Sequence, residues 1–130
     1  MTMTATDQAE ARPVRRGGWF ETRSAARYVL ARQWPPRFDV TGQAAFPVLR
    51  RGRLARQIRQ DLWRALQDLR GFSPVVMVAA TESGLYVTAG GRIAEGLRAP
   101  ATTGDRITAL LEDPAVRRRW ARWARIGGRT

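Results

Sequence analysis

The sequence predicts an α+β domain, on three observations. Residues 51–70 repeat apolar side chains at helical spacing, residues 74–89 hold two β-rich runs around a turn, and Asp113-Pro114 restarts a helix near the C-terminus. The expected architecture is a small antiparallel β-hairpin or sheet packed against a long amphipathic helix and C-terminal helices.

The elements follow in chain order. Ser24 is placed to cap a helix over residues 25–32, which must stop before Pro35-Pro36. In residues 37–49, Phe38, Val40, Phe46, Val48 and Leu49 surround Thr41-Gly42-Gln43. That pattern fits either a loose hairpin or an extended connection, and Pro47 argues against a central strand. Over 51–70, Leu54, Ile58, Leu62, Ala65, Leu66 and Leu69 fill about a third of a helical wheel, the width of a core-facing stripe. Gly71 stands where a helix cap belongs.

The run from Pro74 to Ala80 is β-branched and apolar on both faces, so it is expected to be the more buried strand of a hairpin. Thr81-Glu82-Ser83-Gly84 reads as the turn, with Gly84 available for positive φ. Leu85 to Ala89 alternates as the returning strand, and Gly90-Gly91 is expected to end it. Thr102 or Thr103 can cap a helix carrying Ile107, Leu110 and Leu111. Asp113 as cap and Pro114 at the first helical position then begin a last helix over 115–126, closed by Gly127.

With 130 residues there is room for one core. Residues 1–18 are small, polar and basic and read as a disordered tail, residues 19–126 as a single domain, and residues 127–130 as a flexible end. The N-terminus lacks a continuous apolar stretch, and no segment approaches the ~20 apolar residues of a membrane span, so a cytoplasmic protein without membrane contact is expected.

Charge is the dominant compositional signal. The net charge is +12, and all 23 basic residues are arginine. Lysine, histidine, cysteine and asparagine are absent, which a GC-rich genome, bacterial or phage, explains through codon usage. Codon usage does not account for the size of the imbalance, whose self-repulsion is most simply tolerated for a polyanionic partner. Without His or Cys, zinc and thiolate chemistry are excluded as expectations, and no cofactor is implied. The eleven acids are scattered and a serine nucleophile would lack a histidine base, so no enzyme is expected. Gly90-Gly91-Arg92 lacks the lysine of a phosphate-binding loop and reads as a plain turn.

The candidate binding residues lie on two helices. On the last, Val116, Trp120 and Trp123 fall within about 60° of one another and are expected to face the core. Arg118, Arg122 and Arg125 form a stripe on the opposite side, flanked by Arg117 and Arg119, and no acid follows Asp113. Rows of guanidinium groups suit phosphate oxygens, which accept paired N–H donors. The long helix carries Arg53, Arg56 and Arg59 after Arg50 and Arg51, while Asp61 and Asp68 stand within reach of Arg64 and are expected to neutralise it on the surface. Trp63 falls outside the apolar arc, between Arg56 and Arg59 with Arg70 adjacent. It is placed to stack on a base, to meet a partner protein, or to lie under the N-terminal segment.

The expected function is a non-catalytic nucleic-acid-binding accessory protein that contacts phosphates of DNA or RNA. The alternative is a small phage or mobile-element regulator that docks on a nucleic-acid-handling enzyme, such as a CRISPR effector.

Overall fold

The computed structural model describes residues 12–126. Six strands, β1 (Val14–Arg16), β2 (Trp19–Arg23), β3 (Arg27–Ala31), β4 (Val40–Phe46), β5 (Phe72–Ala80) and β6 (Leu85–Ile93), form one antiparallel sheet in the order β1-β2-β3-β5-β6-β4. Three helices, α1 (Arg51–Ala65), α2 (Thr103–Glu112) and α3 (Pro114–Ala124), complete the α+β fold.

The helices cover one face of the sheet. Leu54, Ile58 and Leu62 of α1, Ile107 and Leu111 of α2 and Trp120 of α3 bury against Tyr28, Leu30, Val76, Val78, Val87 and Ala89. On the opposite face Val29, Ala31 and Val75 form a smaller cluster under Trp34, Phe38 and Met77. β3 is therefore buried on both faces, and this is why the segment expected as a helix over 25–32 is a strand. Apolar residues facing two ways leave no helical stripe, and pairing with β2 and β5 outweighs the helix propensity of the alanines. Ser24 caps nothing helical. Its Oγ accepts from the Arg27 N–H at 3.2 Å and its own N–H donates to the Arg27 carbonyl at 2.9 Å, closing the β2–β3 turn.

The sheet also starts earlier than expected. Val14–Arg16 lies within the stretch expected to be a disordered tail, yet it forms β1 and turns through Gly17-Gly18 into β2. Both glycines have positive φ, 54° and 81°, the left-handed pair a two-residue hairpin turn requires. The remaining tail positions, 1–11, and the end at 127–130 lie outside the described residues.

Residues 37–49 resolve as the edge strand β4, which pairs with β6 and ends immediately before Pro47. α1 stops at Ala65 rather than Arg70. Gly71 (φ 71°) caps no helix and instead leads into β5, its carbonyl accepting from the Ala94 N–H at 2.9 Å. Gly84 does not take positive φ; its N–H donates to Thr81 Oγ1 at 3.0 Å, and an added Cβ would meet the Phe46 carbonyl at 2.3 Å.

Gly90-Gly91 does not end β6, which runs on to Ile93. A Cβ on Gly90 would lie 1.9 Å from the Val40 carbonyl and one on Gly91 would lie 2.2 Å from the Ser73 carbonyl. The pair is there because neighbouring strands approach closely. β6 is also no less buried than β5, since Thr88, Gly90 and Gly91 are covered as well. No helix among the described residues is long and apolar enough to cross a membrane.

Candidate nucleic-acid interface

Asp113 sets the start of α3. Its Oδ1 accepts from the Ala115 and Val116 N–H groups at 3.0 and 3.1 Å, with Pro114 in the first helical turn. This start fixes the rotation of the helix and sends Trp120 into the core. Trp120 is fully buried, and its Nε1–H donates to Asp61 Oδ2 at 2.6 Å. Trp123 does not join it and is 59% exposed. The buried strip is centred on Trp120 and Ala124, and at about 100° per residue Trp123 falls about 100° from Ala124. Helix α3 ends at Ala124, so Arg125 and Ile126 follow it in non-helical conformation.

Arg118, Arg122 and Arg125 are exposed, and no partner of theirs occurs among the described residues. The two flanking arginines are occupied inside the fold. Arg117 donates to the Leu111 and Ala45 carbonyls at 2.9 and 2.7 Å and stacks 3.9 Å from the Phe46 ring centroid. Arg119 pairs with Asp61 at 2.9 Å.

On α1, Arg53 is exposed with no partner among the described residues, whereas Arg56 pairs with Glu21 at 3.1 Å and the Arg59 guanidinium lies 4.6 Å from the Trp19 ring centroid. Glu21 also accepts the Tyr28 hydroxyl. Burial works against its ionisation, but that hydrogen bond and the charges of Arg56, Arg16 and Arg23 outweigh it and hold the carboxyl below its usual range. Arg64 pairs with Asp61 at 3.6 Å, as its spacing suggests. Asp68 instead pairs with Arg106 of α2 at 3.3 Å.

The two basic helices meet end to end. The Arg50 N–H donates to the Ala124 carbonyl at 2.7 Å, so the C-terminus of α3 abuts the N-terminus of α1. Around this junction lies a depression of about 390 Å³, lined by Arg23, Arg50, Arg51, Arg53, Arg56 and Ile126 and, among the described residues, by no carboxylate. Helix α1 begins here with no side-chain cap and no acid in its first turn, and the Ala124 carbonyl at the end of α3 accepts from its N-cap residue. Burial, and then the like charge of Arg23, lower the pKa of Arg51.

No family model, curated protein or solved structure matches this chain.

A second concavity, a cleft of about 530 Å³, opens beside the C-terminal half of α1. Trp63, 53% exposed, lines it together with Trp19, Arg32, Gln33, Arg59 and Gln60, over a floor that includes Phe72 and Pro74. Trp63 is thus not covered by β2, although Trp19 of that strand shares its cleft.

Sequence reasoning missed Trp19, Arg23 and Arg32 as site residues. Gly17-Gly18 was the available signal, since a diglycine between runs that can pair marks a hairpin and would have brought β1 and β2 into the domain. Among the described residues, no three acids gather into a group able to hold a metal ion.

Proposed function

We propose that this protein is a cytoplasmic, non-catalytic nucleic-acid-binding accessory protein that grips phosphates with the arginines at the α1–α3 junction and along α3. The observation that carries this reading is the depression lined by Arg23, Arg50, Arg51, Arg53 and Arg56 without a carboxylate among the described residues. A phosphate there accepts from several guanidinium forks. Arg118, Arg122 and Arg125 extend the cationic surface from the same junction.

Binding of duplex DNA, measured by fluorescence anisotropy across a salt series, tests the reading. Four to seven phosphate contacts correspond to a log–log slope of roughly −4 to −6. Replacing Arg50, Arg53 and Arg122 by Gln is expected to shrink that slope by about two to three. No binding at low salt refutes the proposal.

A second reading draws on the apolar exposure beside these cations, Trp123 at 59% and Ile126 at 53%. A tryptophan among arginines also suits an acidic protein surface, as on an inhibitor that docks on a nucleic-acid-handling enzyme. A stoichiometric protein partner that survives nuclease treatment of the lysate and is lost on Trp123→Ala favours that reading.

A further inference from the structure

We propose that the cleft between Trp19 and Trp63 is a binding site for single-stranded nucleic acid, with one unstacked base on the Trp63 ring and an adjoining phosphate on Arg59 and Arg32. The proposal rests on the nucleic-acid reading above and adds to it a strand preference and a second contact point on the same helix.

The cleft has the size and chemistry of a nucleotide pocket. Its volume, about 530 Å³, lies within the ~300–1,000 Å³ range of small-ligand sites. Trp63 offers a half-exposed ring on which no arginine stacks among the described residues. Trp19 is held differently, with the guanidinium of Arg59 at 4.6 Å and that of Arg32 at 5.6 Å from its ring centroid. A guanidinium stacked on a ring keeps its in-plane N–H groups free for an oxyanion. Arg32 spends one donor on the Gly18 carbonyl at 2.7 Å, which holds it at the rim, and it has others to offer.

The electrostatics favour an anion. Among the described residues, no carboxylate lines the cleft and neither Arg32 nor Arg59 forms an ion pair. Burial first, and then the charge of Arg56, lower the pKa of Arg59. A partly desolvated guanidinium gains more from a phosphate than a solvated one does. The same two cations exclude the cationic ligands that aromatic pockets otherwise attract. The polar edges are amides and a hydroxyl, Gln33, Gln60 and Ser73, which present both donors and acceptors to the edge of a base. Bases within a duplex have their faces stacked and cannot reach Trp63, so the ligand is single-stranded.

The test compares an oligothymidylate of roughly 12 nucleotides with a duplex of equal length, for the full chain and for Trp63→Ala. Base–aromatic stacking predicts a weakening of about 5- to 150-fold for the single strand and less than about twofold for the duplex. Trp63→Phe, which keeps a stacking face, is expected to recover most of the loss, and circular dichroism of both variants is expected to match the parent. Arg59→Gln is expected to lower single-strand affinity and reduce its salt slope by roughly 0.7. Duplex binding by the parent together with unchanged single-strand binding by Trp63→Ala overturns the cleft inference and leaves the arginine depression standing. Failure of the parent to bind either probe overturns both.

Discussion

The bond between Trp120 and Asp61 joins α3 to α1 and thereby sets where the basic junction lies, so its energy is worth measuring directly. The Trp120 ring is fully buried and its Nε1–H donates to Asp61 Oδ2 at 2.6 Å, while the same carboxylate meets Arg119 at 2.9 Å. Asp61→Leu removes the acceptor and strands a buried N–H, at a cost of about 1–3 kcal/mol. Loss of the Arg119 pair adds little, because that guanidinium is 43% exposed and solvent screens it. Trp120→Phe deletes the donor and leaves a cavity, costing about 2–4 kcal/mol by analogy with other large buried side chains. In the double variant neither polar group is stranded, so the two costs are not additive. A coupling of about 1.5–3 kcal/mol is expected, the worth of a hydrogen bond to a charged group. Urea unfolding of all four proteins, followed by far-UV circular dichroism, provides the cycle. Additivity within about 0.5 kcal/mol refutes the reasoning and leaves packing alone to hold Trp120 in place.

Two further outcomes follow from the sheet. Gly90→Ala is expected to destabilise the protein by more than about 2 kcal/mol in the same assay, because the new Cβ would lie 1.9 Å from the Val40 carbonyl; unchanged stability would mean that β4 and β6 do not approach as described. The Glu21–Tyr28 pair predicts stability losses at both ends of the pH scale. Glu21 has its pKa lowered in the fold, so its contribution is present above the ordinary carboxylate range and is lost as pH falls through the folded value. Tyr28 has its pKa raised, by burial and then by its bond to Glu21, so its contribution is present below about pH 10 and is lost as pH rises toward the folded value. Tyr28→Phe is expected to flatten the alkaline limb of a melting-temperature profile, and an unchanged limb counts against the pairing.

The parts of the fold visible in the sequence are those with a period or a specific cap. The stripe of Leu54, Ile58 and Leu62 marks α1 because one of its faces is wet. Asp113-Pro114 marks the start of α3 because the cap is local chemistry. β3 was hidden for the opposite reason. Both its faces are buried, so Tyr28-Val29-Leu30-Ala31 carries no alternation, and its identity comes from β2 and β5, which lie elsewhere in the chain. The diglycine in β6 misled because glycine serves turns and close strand approaches equally well, and only the neighbouring strand distinguishes them. The exposed arginines of α3 were legible as a stripe. The depression was not, because it depends on the Arg50–Ala124 bond between the ends of two helices distant in sequence.

Five of the nine described acids are engaged by the scaffold, and the other four, Glu82, Glu95, Asp105 and Glu112, pair with none of these cations. Asp61 is taken by Trp120, Arg119 and Arg64, Glu21 by Tyr28, Arg56 and Arg16, and Asp39 by Arg37 and the Ile93 N–H. Asp68 holds Arg106, and Asp113 caps α3. These carboxylates are engaged by the scaffold, and most of the arginines they meet are those that tie one element to another. Arg50, Arg53, Arg118, Arg122 and Arg125 stand apart from that network. No side-chain partner among the described residues offsets their mutual repulsion. An arginine that stabilises nothing internal and crowds its neighbours is best accounted for by contacts outside the chain. Arg50, Arg53, Arg118, Arg122 and Arg125 meet that description. Arg32, bonded to the Gly18 carbonyl and stacked on Trp19, Arg59, stacked on the same ring, and Arg117 and Arg119 all have contacts within the fold and do not meet it.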